Sequence, residues 1–188
     1  MIVIKLGGSL STSGTLLECL NKIECSYRNE NVIIVPGGGL FADQVRTLQQ
    51  QWQFGNNAAH QMAILAMQQM ALAFNALKPG FTMTCSITQF HEQTNNNGVT
   101  IWSPLVSELD AAGIPSNWDI TSDSLSAWLA KTLNVDQLIL VKSVKINTNL
   151  DIQKLTQQQI VDASFHEFIK ETSFQLSIIY AKDFLSKP

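Results

Sequence analysis

With 188 residues, 45% of them hydrophobic and only 14% charged, the chain has the apolar content for one domain with a substantial core. Its formal net charge of -3 supplies no basic field for nucleic acid, and no apolar run reaches membrane-spanning length. Cys19, Cys25 and Cys85 lack metal-ligand spacing and leave an odd thiol under any pairing, which reads as buried free thiols in a reducing compartment. The chain starts with MIVIKL and meets Gly7-Gly8 at once, without the basic leader or long apolar stretch of a signal peptide, so a cytoplasmic location is expected.

Residues 2–6 read as a first strand that ends in the loop Gly7-Gly8-Ser9. Leu16, Leu17, Leu20 and Ile23 then mark one apolar helical face. Val32, Ile33, Ile34 and Val35 form a continuous, mostly β-branched run, the pattern of a strand buried on both faces in a parallel sheet. Pro36 stops its ladder, and Gly37, Gly38 and Gly39 follow with no side chain over their amides. A helix resumes with Leu40, Phe41, Val45 and Leu48 on one side and Asp43 and Arg46 on the other. A strand, a bare loop and a helix N-terminus in this order make an anion site, because unpaired amides and the helix dipole face the gap. Gly37, Gly39 and Ala42 also fit the dinucleotide pattern G-x-G-x-x-A, but the ribose-binding acid it requires is missing: no acidic residue lies between Asp43 and Glu92. No Lys-Ser/Thr follows the glycines either, which excludes a P-loop.

Asn56 or Asn57 is expected to cap a helix running to about residue 77, where Lys78-Pro79-Gly80 stops it. That helix is apolar round most of its circumference, so residues 58–77 are expected to pack on the sheet and against a second copy in a homo-oligomer. Further expectations are a strand over 81–87, a surface loop over 92–98, a strand over 99–102 and a proline-started helix over 104–112. Thr121-Ser122-Asp123 reads as the cap of a helix to about residue 133, and 137–142 as another strand. Residues 147–159 read as mostly loop, 163–170 as a helix, 175–180 as a last strand and 182–185 as a terminal turn. The alternation of strands and helices predicts an α/β fold, a three-layer α/β/α sandwich around a mainly parallel sheet.

Two strand-ending glycine loops stand out, and in a parallel sheet both should open into one cleft at the carboxyl ends of the strands. Lys5 beside bare amides suits a phosphate whose charge grows on transfer, Asp123 in a first helical turn is placed to orient cations, and Lys142 at another strand end is a natural second cation. Each has a structural alternative: Lys5 as an edge-strand lysine, Asp123 as an ordinary cap acid, Lys142 and Lys145 as solvated strand ends. His60, His91 and His166 are dispersed, and no metal or nucleophile constellation forms around them.

In these residues the chain resembles the amino acid kinase superfamily. The resemblance rests on Lys5-Leu6-Gly7-Gly8-Ser9, on the apolar strand with its glycine loop at 33–39, and on Asp123 opening a helix of small residues, Ser124-Leu125-Ser126-Ala127. Trp118-Asp119 before that helix and Leu140-Val141-Lys142-Ser143 after it look most like the branch of (aminomethyl)furanylmethyl phosphate kinases of methanogens, with relatives in methylotrophs. The resemblance implies an ATP-dependent kinase for a small phosphate or carboxylate acceptor, in the biosynthesis of a one-carbon cofactor of methanofuran or tetrahydromethanopterin type. By the same resemblance Lys5 stabilises the phosphoryl group in flight and Asp123 organises the lysines. Gly7, Gly8, Ser9 and Lys142 hold ATP phosphates, Gly37 to Gly39 hold the acceptor's anionic group, and Mg²⁺ travels with the nucleotide. One departure marks the nucleotide half, about residues 120–188, as shortened. Val144-Lys145-Ile146-Asn147 stands where many members carry Asp-Gly-Val/Ile-Tyr and a long loop. The competing expectation is therefore a non-catalytic ligand-binding or complex-forming subunit on the same fold.

Overall fold

A computed structural model describes residues 1–93, 97–146 and 151–186, with side chains for all of these except 91–93. Six strands form one sheet in the order β3-β4-β2-β1-β5-β6, and every neighbouring pair is parallel. They are β1 (Ile2–Leu6), β2 (Asn31–Pro36), β3 (Thr82–Thr84), β4 (Gly98–Trp102), β5 (Gln137–Lys142) and β6 (Gln175–Tyr180). The helices are α1 (Leu16–Ser26), α2 (Gly39–Trp52), α3 (Asn56–Leu77), α4 (Ile87–Gln93), α5 (Val106–Ala111), α6 (Ser122–Thr132), α7 (Ile152–Gln157), α8 (Phe165–Phe168) and α9 (Ala181–Ser186). Gly8–Leu10 adds a 3-10 turn after β1.

Side chains alternate across a strand, so each central strand feeds two cores. Val3, Ile33, Val35, Leu138 and Leu140 pack on one face beneath α6 and α8. Ile2, Ile4, Leu6, Val32, Ile34 and Val141 pack on the other beneath α1 and α9. The long α3 serves both cores, with Ile64 and Met67 in the first and Met70, Ala71 and Phe74 in the second. The same alternation puts Lys5 on the face of Val3 and Lys142 on the face of Leu138 and Leu140. Both lysines therefore lie on the α6 side, at the carboxyl ends of adjoining strands. Because β1 lies between β2 and β5, Lys5 is a central residue and the edge-lysine alternative is excluded.

Several local expectations are corrected. The strand expected over 81–87 pairs only at Thr82–Thr84, and residues 87–93 are helical. The surface loop expected over 92–98 thus begins as helix and ends as strand β4, and its centre, 94–96, lies outside the described residues. The stretch 147–159 contains α7: Asp151 caps it by accepting from the Lys154 N–H at 2.8 Å, and only Leu155 is buried, which explains its polar sequence. Residues 147–150 lie outside the described residues. The 163–170 helix shortens to α8, and the terminal turn is the helix α9, with Phe184 buried. Gly55, not an asparagine side chain, stands at the N-cap of α3. Of the thiols, Cys19 is buried and burial pushes it up to about 11, whereas Cys25 is exposed. No helix is long and apolar enough to cross a membrane among the described residues.

Candidate active site

The two glycine loops are packed against each other with almost no clearance. A Cβ on Gly8 would lie 2.3 Å from the Gly39 nitrogen, and one on Gly37 would lie 2.4 Å from the Gly8 nitrogen. These are backbone atoms that cannot swing away, so the approach requires glycine on both sides. The Gly7 N–H bonds the Val141 carbonyl at 3.0 Å and the Gly37 N–H bonds the Leu6 carbonyl at 2.9 Å, which stitches the loops to the neighbouring strand ends. Ser9 Oγ and Ser143 Oγ lie 2.7 Å apart and share a hydrogen bond, tying the first loop to the residue after β5. Gly39 takes a positive φ of 54° as α2 begins. Gly8, Ser9 and Gly37 to Gly39 all line one cleft of about 380 Å³, as the sequence led us to expect.

Beside the cleft lies a buried ionic cluster. Asp123, in the first turn of α6, receives the Lys5 ammonium on Oδ1 at 2.8 Å and the Lys142 ammonium on Oδ2 at 2.6 Å. Each of the three residues is less than a tenth exposed. Burial alone would raise the Asp123 carboxyl, but Lys5 and Lys142 overrule it and hold the group down at about 2. Burial and the nearby Lys5 charge pull Lys142 down to about 8, against the opposing attraction of Asp123. The cluster thus sets two ammoniums on one carboxylate, and the Asp162 carboxyl also acts on Lys142, favouring its charged form. Lys142 is therefore not a solvated strand end, and Asp123 is more than a cap acid.

The cap itself comes from elsewhere. Asp162 Oδ2 accepts from the Thr121 N–H at 2.9 Å, the Thr121 hydroxyl at 2.8 Å and the Ser124 N–H at 3.0 Å, while Oδ1 accepts from the Ser124 hydroxyl. Thr121, at the N-cap position, makes no side-chain cap bond of its own. A carboxylate from the segment between α7 and α8 thus binds the amides of Thr121 and Ser124 at the start of α6 and so fixes the turn that carries Asp123. Burial and the Asp123 charge push Asp162 up from its ordinary value. Asp162, Asp123 and Lys142 border a second cavity of about 570 Å³ adjoining the glycine cleft.

Sequence reasoning overlooked three contributors. Asp162 sits 38 residues from its Ser124 partner, so no local pattern marks it. His60, dismissed as dispersed, is 4% exposed and lines the glycine cleft from α3. Burial pushes its imidazole down, opposed by Asp110 and by a hydrogen bond to the Asn117 backbone. Arg46 lines both cavities and stacks on Trp118, its guanidinium carbon 3.8 Å from the ring centroid. Its position two turns past the glycines was the available signal. His166 is far more exposed and contacts Glu167.

Residues 1–149 match the model of the Amino acid kinase family. The [5-(aminomethyl)furan-3-yl]methyl phosphate kinase of Methanocaldococcus jannaschii is 26% identical to this chain over 95% of it and 87% of that protein. Among solved structures, the uridylate kinase of Archaeoglobus fulgidus superposes with a TM-score of 0.73 at 17% identity, over 98% of this chain and 93% of that one. The UMP kinase of Bacillus anthracis gives a TM-score of 0.70 at 15% identity, over 96% and 87%. The chain belongs to the amino acid kinase family, and its kinship is with small-molecule kinases.

Proposed function

We propose that this protein transfers the terminal phosphoryl group of ATP to a small phosphate or carboxylate acceptor bound at Gly37, Gly38 and Gly39. The observation that carries this reading is the buried Lys5–Asp123–Lys142 cluster beside a cleft floored by bare amides. A fold gains nothing in stability from burying two cations on one anion, whereas phosphoryl transfer needs fixed positive charge where the moving group becomes negative. An acceptor oxygen attacks the terminal phosphorus, the bond to the bridging oxygen breaks, and ADP leaves with that electron pair. Lys5 stabilises the group in flight, Asp123 holds both ammoniums in place, and Gly7, Gly8, Ser9 and Lys142 hold the nucleotide phosphates. The residues suit Mg²⁺ carried on those phosphates, where it would neutralise developing charge. Both oxygens of Asp123 are engaged by lysines, so that carboxylate is not assigned as its ligand.

The name of the Methanocaldococcus relative supports a phosphate monoester as acceptor and a place in one-carbon cofactor biosynthesis of the methanofuran or tetrahydromethanopterin type. The chain is read as one domain, its nucleotide half (about 120–188) shortened after β5. Homo-oligomerisation through α3 is part of the proposal, because Leu65 and Leu72 remain 50% and 58% exposed on it. Light scattering of wild type and Leu65→Glu tests this, a wild-type monomer at micromolar concentration counting against it.

A second reading, a ligand-binding or complex-forming subunit without nucleotide, draws on Val144-Lys145-Ile146 standing where many members carry Asp-Gly-Val/Ile-Tyr. Calorimetric titration with MgATP separates the two. Saturable binding that weakens in Lys142→Met supports the kinase, and no binding at millimolar MgATP supports the subunit.

A further inference from the structure

Among the described residues, Arg46 is the one charged side chain bordering both cavities that the ionic cluster leaves unused. It is presented from α2 and lies over the Trp118 ring, its guanidinium carbon 3.8 Å from the centroid. The ring is held in turn: Trp118 Nε1–H donates to Gln49 Oε1 at 2.6 Å, one turn further along α2. Gln49 Nε2 donates to the Phe54 carbonyl at 3.1 Å and to Asn56 Oδ1 at 3.0 Å, which pins it to the α2–α3 connection. One helix thus supplies the guanidinium and also fixes the indole beneath it. Among the described residues Arg46 forms neither an ion pair nor a hydrogen bond; Asp43, one turn back, acts on it only through its field. Its five N–H donors are unspent, and it lines the same cleft as Gly37 to Gly39. A guanidinium can stack by its face and still present its edge to an oxyanion bidentately, which an ammonium cannot do. Ile64, Met67, Ile120 and Leu125 give the cleft an apolar patch, which the polar side chains of Asp43, His60, Thr121, Ser122 and Gln159 border.

We propose that Arg46, held over the Trp118 ring, determines acceptor specificity: it grips the phosphate of a monophosphate ester whose compact apolar or aromatic body lies against Ile64, Met67 and Ile120. This rests on the kinase reading for its place in a reaction, but the binding subsite is testable without it. A dianionic phosphate offers more oxygens and charge to the guanidinium and amides than a carboxylate of the same size, so the subsite prefers the phosphate.

The test is calorimetric titration of the full chain with benzyl phosphate, phenylacetate and benzyl alcohol, three probes that share a ring and differ in the head group. Wild type is expected to bind benzyl phosphate about 10- to 100-fold more tightly than benzyl alcohol, the range for hydrogen bonds to a charged group. Arg46→Gln should erase most of that preference. Arg46→Met, which keeps an apolar stem over Trp118, should do the same, and Arg46→Lys should restore little of it. Retention of the phosphate preference in both Arg46→Gln and Arg46→Met overturns the proposal, as does preference of wild type for phenylacetate or failure to bind any probe. If wild type binds no MgATP while the phosphate preference still depends on Arg46, the kinase reading falls and the phosphate subsite stands.

Discussion

Removing the anion of the cluster and removing one of its cations should have very unequal weights in stability. Asp123→Asn removes the carboxylate that pairs Lys5 and Lys142 at 2.8 and 2.6 Å and leaves only the Asp162 carboxyl acting on Lys142. Breaking a buried pair from one side costs about 3–5 kcal/mol. For a chain of this size that corresponds to a fall in Tm of roughly 6–20 °C. Lys5→Met removes one of the two cations instead. It keeps the apolar stem in the same volume and leaves Asp123 and Lys142 as a balanced pair, so its cost should stay below about 1.5 kcal/mol. Yet it removes the charge assigned to the transition state. Urea unfolding of the three proteins at pH 7 measures the difference directly. The reasoning fails if Lys5→Met is destabilised as much as Asp123→Asn, for then Lys5 is held for stability and the cluster has no surplus charge to lend to a reaction.

Further outcomes follow from the same geometry. Lys142 titrates at about 8 in the folded chain against an ordinary 10.5, so between these pH values the unfolded chain binds the extra proton and stability rises with pH; Lys5→Met, by removing the nearby cation, should shrink that rise in a pH series of unfolding curves. Asp123, depressed to about 2 from an ordinary 3.8, stabilises the fold above about pH 4 and loses that contribution as pH falls toward 2. Gly8→Ala places a methyl 2.3 Å from the Gly39 nitrogen and should cost about 1–3 kcal/mol with loss of anion binding. Gly80→Ala, with open space at its Cβ, should stay within about 0.5 kcal/mol by the same unfolding measurement. Asp162→Ala uncaps α6 at a cost of about 1–2 kcal/mol; Asp162→Asn should recover part of this, and equal curves for Asp162→Ala and wild type would deny Asp162 its capping role.

The central strands were legible because β-branched apolar runs ending in glycine or proline admit few other readings. Once β1 and β5 are adjacent and parallel, alternation alone sends Lys5 and Lys142 to the α6 face. Asp123 could then be expected between them from its place in the first turn of α6. What stayed hidden depends on long-range contacts. Asp162 reaches Thr121 from 41 positions away, and the Arg46 stack depends on where the irregular segment before α6 carries Trp118. His60 is one of three dispersed histidines in the sequence, and only the course of α3 along the cleft brings it to the lining. The helix α7 escaped notice because only Leu155 on it is buried, so the periodic signal that marks other helices is absent.

Phosphorus NMR of the protein mixed with MgATP and a monophosphate ester such as benzyl phosphate tests the central claim most directly. The account predicts ADP together with a new diphosphate ester, and a rate lower by about 10²- to 10³-fold in Lys5→Met, the loss typical of removing one preorganised charge from a phosphoryl-transfer site. Failure of wild type to convert any of a panel of small phosphates and carboxylates, together with no MgATP binding, would contradict it.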